Sequence, residues 1–302
     1  MITKAYLSMM LFFISIDSFC QTSISGNRQS IFTIQNVQFK SAGATLSGAI
    51  LKPEHPHTAV VIVHGSGQEK RTIEMASRLA RNGIAVLTYD KRGVGESGGV
   101  YAGPEVGTNN IDSANLNLLA SDAGEAVQAL LKNLQEKRLP IGLIGASQAG
   151  WIIPLAAEKN NHVRFIVLFS GPMVTTLEQL RFQFYTNGNA NFWVTHNEAD
   201  ARAHIKNDAD RYQFSAINPL KSPEKIKIPG LWLYGGKDIQ VPVGLSIERL
   251  NTLKAQGKPF GYQLFPMLGH NMGSSKSPEP FDTAVKWIKG ISRISKKGRK
   301  TG

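Results

Sequence analysis

Buried strand segments that alternate with helical segments are the feature that most constrains the fold of this chain. Residues 59–63 form a continuous apolar, mostly β-branched run, which is typical of a parallel strand buried on both faces. Further strands are predicted at 84–89, 141–144, 163–169, 231–234 and 262–265. Helices are predicted at 72–82, 116–134, 148–159, 245–255 and 281–288. We therefore predict an α/β fold with a doubly wound, mostly parallel sheet and helices on both faces.

Two predicted strands, at 31–39 and 45–51, precede this pattern, and one long segment interrupts it. Between about residues 172 and 229 there is no buried strand, and an insertion of this length is rarely a bare loop. We predict a helical cap over the carboxyl ends of the strands, where such sheets bind ligands. Among its aromatic residues, Phe182 and Trp193 are predicted to contact the substrate. The alternative is that these rings only hold the cap together.

The N-terminus has the order of a secretory signal peptide. Lys4 precedes an apolar stretch at 5–16, and residues 18–20 follow with small side chains at the alternating positions. This order predicts a signal peptide over residues 1–20 and a single mature domain over residues 21–302. We therefore expect export to the periplasm or the extracellular space. The alternative is an N-terminal helix of the mature fold.

Cys20 is the single cysteine of the chain. A lipid on this cysteine is a further alternative, but it needs a small residue just before the cysteine, and Phe19 stands there. If cleavage follows Cys20, the mature protein has neither a disulfide nor a catalytic thiol. No apolar stretch reaches the roughly 18–20 residues that a membrane-spanning helix needs, so we expect no stable membrane insertion.

A net charge of +12 is compatible with nucleic-acid binding, but the positions of the charges argue against it. Six basic residues, with no acidic residue among them, lie in a tail at about residues 289–302. No aromatic residues are interleaved with them, so we interpret the tail as a solvated end and expect no nucleic-acid partner.

A glycine pattern at residues 93–98 follows a strand and matches the dinucleotide-binding sequence G-x-G-x-x-G. Gly99, Gly103 and Pro104 come next, so no helix begins there to hold a pyrophosphate. No group of residues has the spacing of metal ligands. We predict neither a cofactor nor a metal.

The strongest local signal is the sequence Gly-Leu-Ile-Gly-Ala-Ser-Gln-Ala-Gly at residues 142–150. A buried strand runs through small residues directly into a helix, and Ser147 stands at the turn. This arrangement exposes the serine hydroxyl above the sheet edge, and small neighbours let the strand and helix approach closely. The backbone N–H of Gln148 is predicted to donate to an oxyanion. The alternative is an ordinary strand–helix connection that contains a serine.

A serine nucleophile needs a base and a residue that orients the base. Asp238 stands just past the end of the predicted strand at 231–234, and His270 stands in the loop after the strand at 262–265. Both would reach the same sheet edge as Ser147, in the order Ser, Asp, His. These three positions predict Ser147 as nucleophile, His270 as general base and Asp238 as the orienting acid.

A glycine-rich turn, His64-Gly65-Ser66-Gly67, ends the predicted strand at 59–63. Glycine lets backbone N–H groups face a site without side chains in the way. The turn is predicted to supply the second oxyanion donor, from Ser66 and otherwise from Gly67. We interpret His64 as a residue that packs the turn.

These motifs resemble the α/β-hydrolase superfamily, in particular bacterial esterases and serine-aminopeptidase-like hydrolases. They are His64-Gly-Ser-Gly, Tyr89-Asp-Lys-Arg-Gly-Val-Gly-Glu-Ser, Gly145-Ala-Ser-Gln-Ala-Gly, Gly236-Lys-Asp and Gly269-His. The resemblance covers nearly all of the mature chain and is weakest across the cap. It implies acyl hydrolysis through an acyl-enzyme, and a structural loop that Asp90 and Arg92 hold in place. One departure is Ala149, where the family usually has glycine.

We therefore expect an exported serine hydrolase whose partner is a small-molecule ester. A serine aminopeptidase, an amidase or an acyltransferase could use the same three residues. Acidic residues of the cap could hold the ammonium group of a peptide: Glu178, Glu198, Asp200, Asp208 and Asp210. A non-catalytic binding protein on the same scaffold is disfavoured, because it has no need of all three residues.

Overall fold

The computed structural model describes residues 31–102, 112–134, 136, 139–208, 218 and 220–297. The predicted signal peptide, part of the predicted cap and the end of the basic tail lie outside these residues. The described residues belong to one compact unit that begins at Ile31.

Eight strands in the described residues form one sheet. They are β1 (Phe32–Ser41), β2 (Ala44–Pro53), β3 (Thr58–Val63), β4 (Ile84–Tyr89), β5 (Ile141–Ala146), β6 (Val163–Phe169), β7 (Gly230–Gly235) and β8 (Phe260–Phe265). The spatial order is β1-β2-β4-β3-β5-β6-β7-β8. The pairs β1–β2 and β2–β4 are antiparallel, and every other pair is parallel. The predicted doubly wound, mostly parallel sheet is confirmed.

Nine α-helices lie in the described residues, and five of them cover the two faces of this sheet. The nine are α1 (Ile73–Arg81), α2 (Ser113–Asn133), α3 (Ala149–Lys159), α4 (Thr176–Thr186), α5 (Phe192–Thr195), α6 (Glu198–Asn207), α7 (Lys221–Lys225), α8 (Val243–Ala255) and α9 (Glu279–Lys297). Helices α1 and α9 share one apolar core with the sheet, and α2, α3 and α8 share the other.

Strand β3 shows why the chain folds this way. Its side chains alternate between the faces, so Val60 and Ile62 enter the core under α1 and α9, while Val61 and Val63 enter the opposite core. All six residues of the strand are buried. A strand without a polar face is stable only between two layers of helices.

The described part of the segment between β6 and β7 is largely helical, as predicted. Helices α4 and α6 each begin with a capping box, formed by Thr175 with Glu178 and by Asn197 with Asp200. A capping box satisfies backbone N–H groups that would otherwise lack partners at the start of a helix. The cap therefore has local sequence signals of its own that fix where its helices begin.

Helix α9 extends beyond the predicted end at residue 288, as far as Lys297. Ile291 packs against the core under α1 and α9, and Ser292 is buried. The interpretation of the tail as a solvated end from about residue 289 is therefore corrected, because an apolar face at helical spacing continues past that point. No helix in the described residues is both long enough and apolar enough to cross a membrane.

Candidate active site

Ser147 lies in the sharp turn between β5 and α3, at the carboxyl edge of the sheet. Its φ angle is 54°, in the left-handed region that a residue with a Cβ atom rarely adopts. The backbone N–H of Ser147 donates to the carbonyl of Phe169 on β6 at 3.0 Å, and its carbonyl accepts from Gly150 at 2.8 Å. These bonds hold the serine in its strained conformation between two strands and a helix.

The small residues around Ser147 are there for steric reasons. A Cβ atom on Gly145 would lie 2.5 Å from the carbonyl oxygen of Val63 and 2.6 Å from the Cβ of Ala149. A Cβ atom on Gly150 would lie 2.6 Å from Pro172. The alanine at 149 is accommodated because Gly145 has no side chain, so the departure from the family pattern leaves the turn intact.

Asp238 and His270 meet in the loops after β7 and β8. The His270 Nδ1 atom lies 2.9 Å from Asp238 Oδ2. The other carboxylate oxygen accepts from the backbone N–H groups of Gln240 at 2.7 Å and Val241 at 2.9 Å. Asp238 is almost fully buried, so these donors compensate for the lost hydration of its charge.

A cleft of about 790 Å³ opens at this edge of the sheet, and both Ser147 and His270 line it. It continues along the start of α1, where Ile73, Met75 and Arg78 line it. No hydrogen bond joins the hydroxyl of Ser147 to the ring of His270, both of which the structure describes. Such contacts often close only when substrate is bound.

Both ring nitrogens of His64 are engaged within the turn after β3. Nδ1 contacts the carboxylate of Glu69 at 3.2 Å, and Nε2 contacts the carbonyl oxygen of Tyr89. The backbone N–H of Gly65 also donates to Glu69, at 3.1 Å. Within the described residues the N–H of Ser66 has no acceptor, so this predicted oxyanion donor is available to a ligand.

The loop after β4, residues 90–98, is held by three ion pairs, of Arg71 with Asp90 and Glu96 and of Arg92 with Asp122. Asp90 accepts from the guanidinium of Arg71, and Arg92 donates to both carboxylate oxygens of Asp122 on α2. Burial raises the pKa of Asp90, but its hydrogen bonds with Arg71 and with the N–H of Glu96 outweigh burial and bring that pKa to about 2. The loop is therefore structural. Residues 99–102, the described residues that follow Gly98 directly, are not helical.

The cap aromatics do not lie where the sequence predicted. Phe182 is fully buried in a cluster with Phe192, Ala201 and Ile205, and Trp193 packs on its edge. No described residue between 172 and 229 lines the cleft of Ser147. Neither Phe182 nor Trp193 is therefore placed for substrate contact, because apolar rings of one insertion bury most readily against each other. This placement favours the packing alternative.

Two side chains position the predicted base and acid: Trp193, for which the sequence predicted substrate contact instead, and Ser170, which the sequence analysis did not name. The indole N–H of Trp193 donates to the carbonyl of Asp238 at 2.8 Å. The hydroxyl of Ser170, just after β6, donates to the carbonyl of His270 at 2.7 Å. Ser170 also has a left-handed φ of 48°, a conformation that residue order does not reveal. Among the described residues, no group of three or more His, Cys, Asp or Glu side chains could hold a metal ion.

Solved structures share this architecture. An esterase of Pyrococcus furiosus is 20% identical, with a TM-score of 0.62 over 85% of this chain and 89% of that chain. The acylaminoacyl peptidase of Pyrococcus horikoshii is 18% identical, with a TM-score of 0.62 over 88% of this chain and 42% of that chain. At these identities the likeness shows the fold.

A curated relative matches part of the chain. A Mycobacterium tuberculosis protein named as a candidate phosphoribosyl transferase is 29% identical over 141 residues, 45% of this chain. The chain spans about 30% of the length of the curated relatives that it matches.

A sequence model of one family covers the first half of the fold. The family is described as serine aminopeptidase, S33, and it matches residues 54–208, slightly more than half of the chain. The match includes the turn of Ser66, the loop of Asp90 and the turn of Ser147. The protein therefore belongs to the serine aminopeptidase S33 family and has the α/β-hydrolase fold.

Proposed function

We propose that this protein is an exported serine hydrolase that cleaves carboxylic esters through an acyl-enzyme, with Ser147, His270 and Asp238 as its catalytic residues. The observation that carries the proposal is the 2.9 Å contact between His270 Nδ1 and Asp238 Oδ2 beside the cleft of Ser147. A carboxylate can only accept there, so Nδ1 carries a proton and Nε2 is left as the base.

The reaction follows from this tautomer. Nε2 of His270 takes the proton of the Ser147 hydroxyl as the serine oxygen attacks the ester carbonyl. The N–H groups of Ser66 and Gln148 stabilise the oxyanion. The tetrahedral intermediate then expels the alcohol, to which His270 returns the proton. Water repeats these steps on the acyl-enzyme and releases the acid.

Aminopeptidase activity is the second candidate, because it is the activity in the description of the family. The cap acids do not favour it. Each of these acids that the structure describes already has a partner. The ion pairs are Glu178 with Arg249, Glu198 with Arg202 and Asp208 with His204. Asp200 accepts from the backbone N–H of Asn197. Asp210 lies outside the described residues. Glu74 lines the cleft and is an acid that a substrate ammonium group could meet, whereas Glu69, which also lines it, is already bound by His64 and Gly65.

The test combines a substrate panel with labelling of the nucleophile. We expect hydrolysis of nitrophenyl esters from acetate to dodecanoate, and little hydrolysis of aminoacyl nitroanilides. A fluorophosphonate should label Ser147, and Ser147→Ala should lower kcat by about 10³–10⁶-fold with an unchanged melting temperature. Ser121→Ala, at an exposed serine of α2, is the matched control and should keep both labelling and activity.

Two outcomes would contradict the proposal. Labelling at another serine, or near-normal turnover in Ser147→Ala, would remove Ser147 from the mechanism. Faster cleavage of the anilides than of every ester would establish the aminopeptidase alternative. Export is tested separately, because the mass of the secreted protein should begin at Gln21 and include no lipid.

A further inference from the structure

Lys91 is a buried lysine that the mechanism above does not use. It follows β4 between Asp90 and Arg92, and its side chain is 2% exposed. Its Nζ atom lies 2.5 Å from the carbonyl oxygen of Gly65, 3.3 Å from that of Gly67 and 3.2 Å from Oε1 of Gln148. A lysine ammonium has three N–H donors, and here each of the three has an acceptor.

The three acceptors belong to the two parts of the predicted oxyanion hole. Gly65 and Gly67 flank Ser66 in the turn after β3, and Gln148 directly follows Ser147. The carbonyl of Ser66 itself accepts from the hydroxyl of Tyr101 at 2.9 Å. Lys91 and Tyr101 thus hold three successive carbonyls of the turn.

Holding these carbonyls fixes the direction of the amides. The carbonyl of Gly65 and the N–H of Ser66 share one planar peptide unit, in which the two groups point in opposite directions. The bond from Lys91 to the Gly65 carbonyl therefore turns the N–H of Ser66 away from the lysine. The bond from Lys91 to Oε1 of Gln148 links this turn to the residue that directly precedes α3.

We propose that Lys91 is a positioning residue that holds the oxyanion donors of Ser66 and Gln148 in fixed geometry with respect to each other. The inference rests on the proposed function. Its physical basis is that donors fixed in advance stabilise a developing oxyanion without reorganisation during the reaction. The positive charge of the buried ammonium adds to this stabilisation.

The charge on Lys91 depends on pH within an accessible range. Burial lowers the pKa of Lys91 to about 8, and the nearby carboxylate of Glu69 opposes this shift. The ring centre of Tyr101 also lies 5.6 Å from the amine, and the uncharged side chain of Gln148, just before α3, contacts it. Above pH about 8 the amine loses its charge and one of its three donors, so one of its three contacts is lost.

The first experiment replaces the ammonium with an apolar group of similar length. Lys91→Met should lower kcat for a nitrophenyl ester by about 10²-fold, with KM changed by less than about threefold. Affinity for a trifluoromethyl ketone, whose serine adduct carries an oxyanion, should fall by about the same factor as kcat/KM. Lys70→Met is the matched control, since it removes an exposed charge from the segment between β3 and α1 that Lys91 contacts, and it should have neither effect.

The second experiment uses the pH dependence of kcat. The wild-type protein should lose activity above pH about 8, as Lys91 deprotonates. Lys91→Met should lack this alkaline decline, while at more acidic pH its activity should depend on pH as that of the wild type does. A residue that only stabilised the fold would lower the melting temperature without removing one limb of the profile.

Three results would overturn the inference. They are an unchanged kcat in Lys91→Met, a loss confined to KM, or an alkaline decline that persists in the variant. If Lys91→Met does not fold, a wild-type kcat that stays constant from about pH 7 to about pH 10 would overturn it equally. Fluorophosphonate labelling of Ser147 and ester turnover by the wild type report on the proposed function separately, so the two failures are distinguishable.

Discussion

The carboxylate of Asp238 accepts hydrogen bonds at both of its oxygens although it is almost fully removed from solvent. Two backbone N–H groups, from Gln240 and Val241, bind Oδ1, and the ring of His270 binds Oδ2. The two amides can only donate, so they require an acceptor at that position. This requirement decides which way an amide side chain would orient there.

Asp238→Asn should therefore be inactive with its fold retained. The asparagine oxygen should face the two amides, which leaves its NH₂ group toward Nδ1 of His270. The imidazole then carries its proton on Nε2 and cannot accept one from Ser147. We expect kcat to fall by about 10⁴-fold.

The measurement is ester turnover beside thermal unfolding. Asp282→Asn, at an exposed acid in the first turn of α9, is the control and should keep full activity. A loss of less than about tenfold in Asp238→Asn would mean that Asp238 does not set the tautomer of His270.

Residues at strand ends could be predicted from the sequence, and residues that act through buried contacts could not. Ser147, Asp238 and His270 each follow a recognisable strand, and parallel strands bring their carboxyl ends to one edge. Lys91 also follows a strand, but nothing in residue order tells that its amine turns inward to the Gly65 carbonyl. Its acceptors are backbone atoms and one amide, which leave no sequence pattern.

At the scale of elements, the cap is attached to the loop of the predicted acid and to α8. Arg249 of α8 donates to Glu178 of α4 at 2.5 Å and 2.7 Å. Thr186, the last residue of α4, donates to the carbonyl of Ile239 at 2.6 Å. These bonds and the apolar cluster of Phe182 hold the cap, whereas the cleft of Ser147 runs along α1 instead.

Phe182→Ala should lower stability without changing substrate preference. Removing a fully buried phenylalanine costs about 3–5 kcal/mol, through lost burial and the cavity that it leaves. Rates on all esters should fall together, in proportion to the folded fraction. Urea unfolding and the ratio of rates on short and long esters measure the two effects.

Phe184→Ala is the control for this experiment, because its ring is 63% exposed on the same helix. It should change the free energy of unfolding far less. A shift of the preferred acyl length in Phe182→Ala, at unchanged stability, would restore the original prediction of substrate contact.

Strand positions and the helical nature of the cap followed from the pattern of apolar residues, because burial on both faces is visible in sequence. The direction in which the cap aromatics point did not follow. Phe182 and Trp193 have the same character whether they line a cleft or fill a cluster. Only the three-dimensional arrangement of α4, α5 and α6 decides between the two.

At the scale of the whole molecule, the loop after β4 joins elements that are distant in sequence. Asp90 binds Arg71, which lies two residues before α1, Arg92 binds Asp122 on α2, and the N–H of Ser47 on β2 donates to Ser97. Arg92 also donates to the carbonyl of Ser41 at 2.9 Å. One loop thus connects the antiparallel end of the sheet to helices on both faces.

Because the pKa of Asp90 is lowered in the folded protein, part of the free energy of unfolding should depend on pH. With a pKa of about 2 in the folded protein, the carboxylate contributes stability that is full above its unfolded pKa and is lost as pH falls through about 2. An unfolded value of about 3.9 gives a contribution of about 2–3 kcal/mol, of which about half remains at pH about 3.

Urea unfolding of the wild type and of Asp90→Asn checks this expectation. The difference between the two free energies of unfolding should be largest at pH about 6 and should shrink by pH about 3. Asp282→Asn should show no such dependence. A difference that is the same at both pH values would assign the effect of Asp90→Asn to lost packing instead of lost charge.

The left-handed backbone of Ser147 has a consequence for how this protein can change over generations. A residue with a Cβ atom is held there at a cost of about 1–2 kcal/mol, which glycine would not incur. Selection for thermal stability alone would therefore favour glycine at position 147 and yield stable proteins that lack the nucleophile. Durability and reactivity are selected in opposite directions at this single position, so serine persists there only where turnover is selected as well.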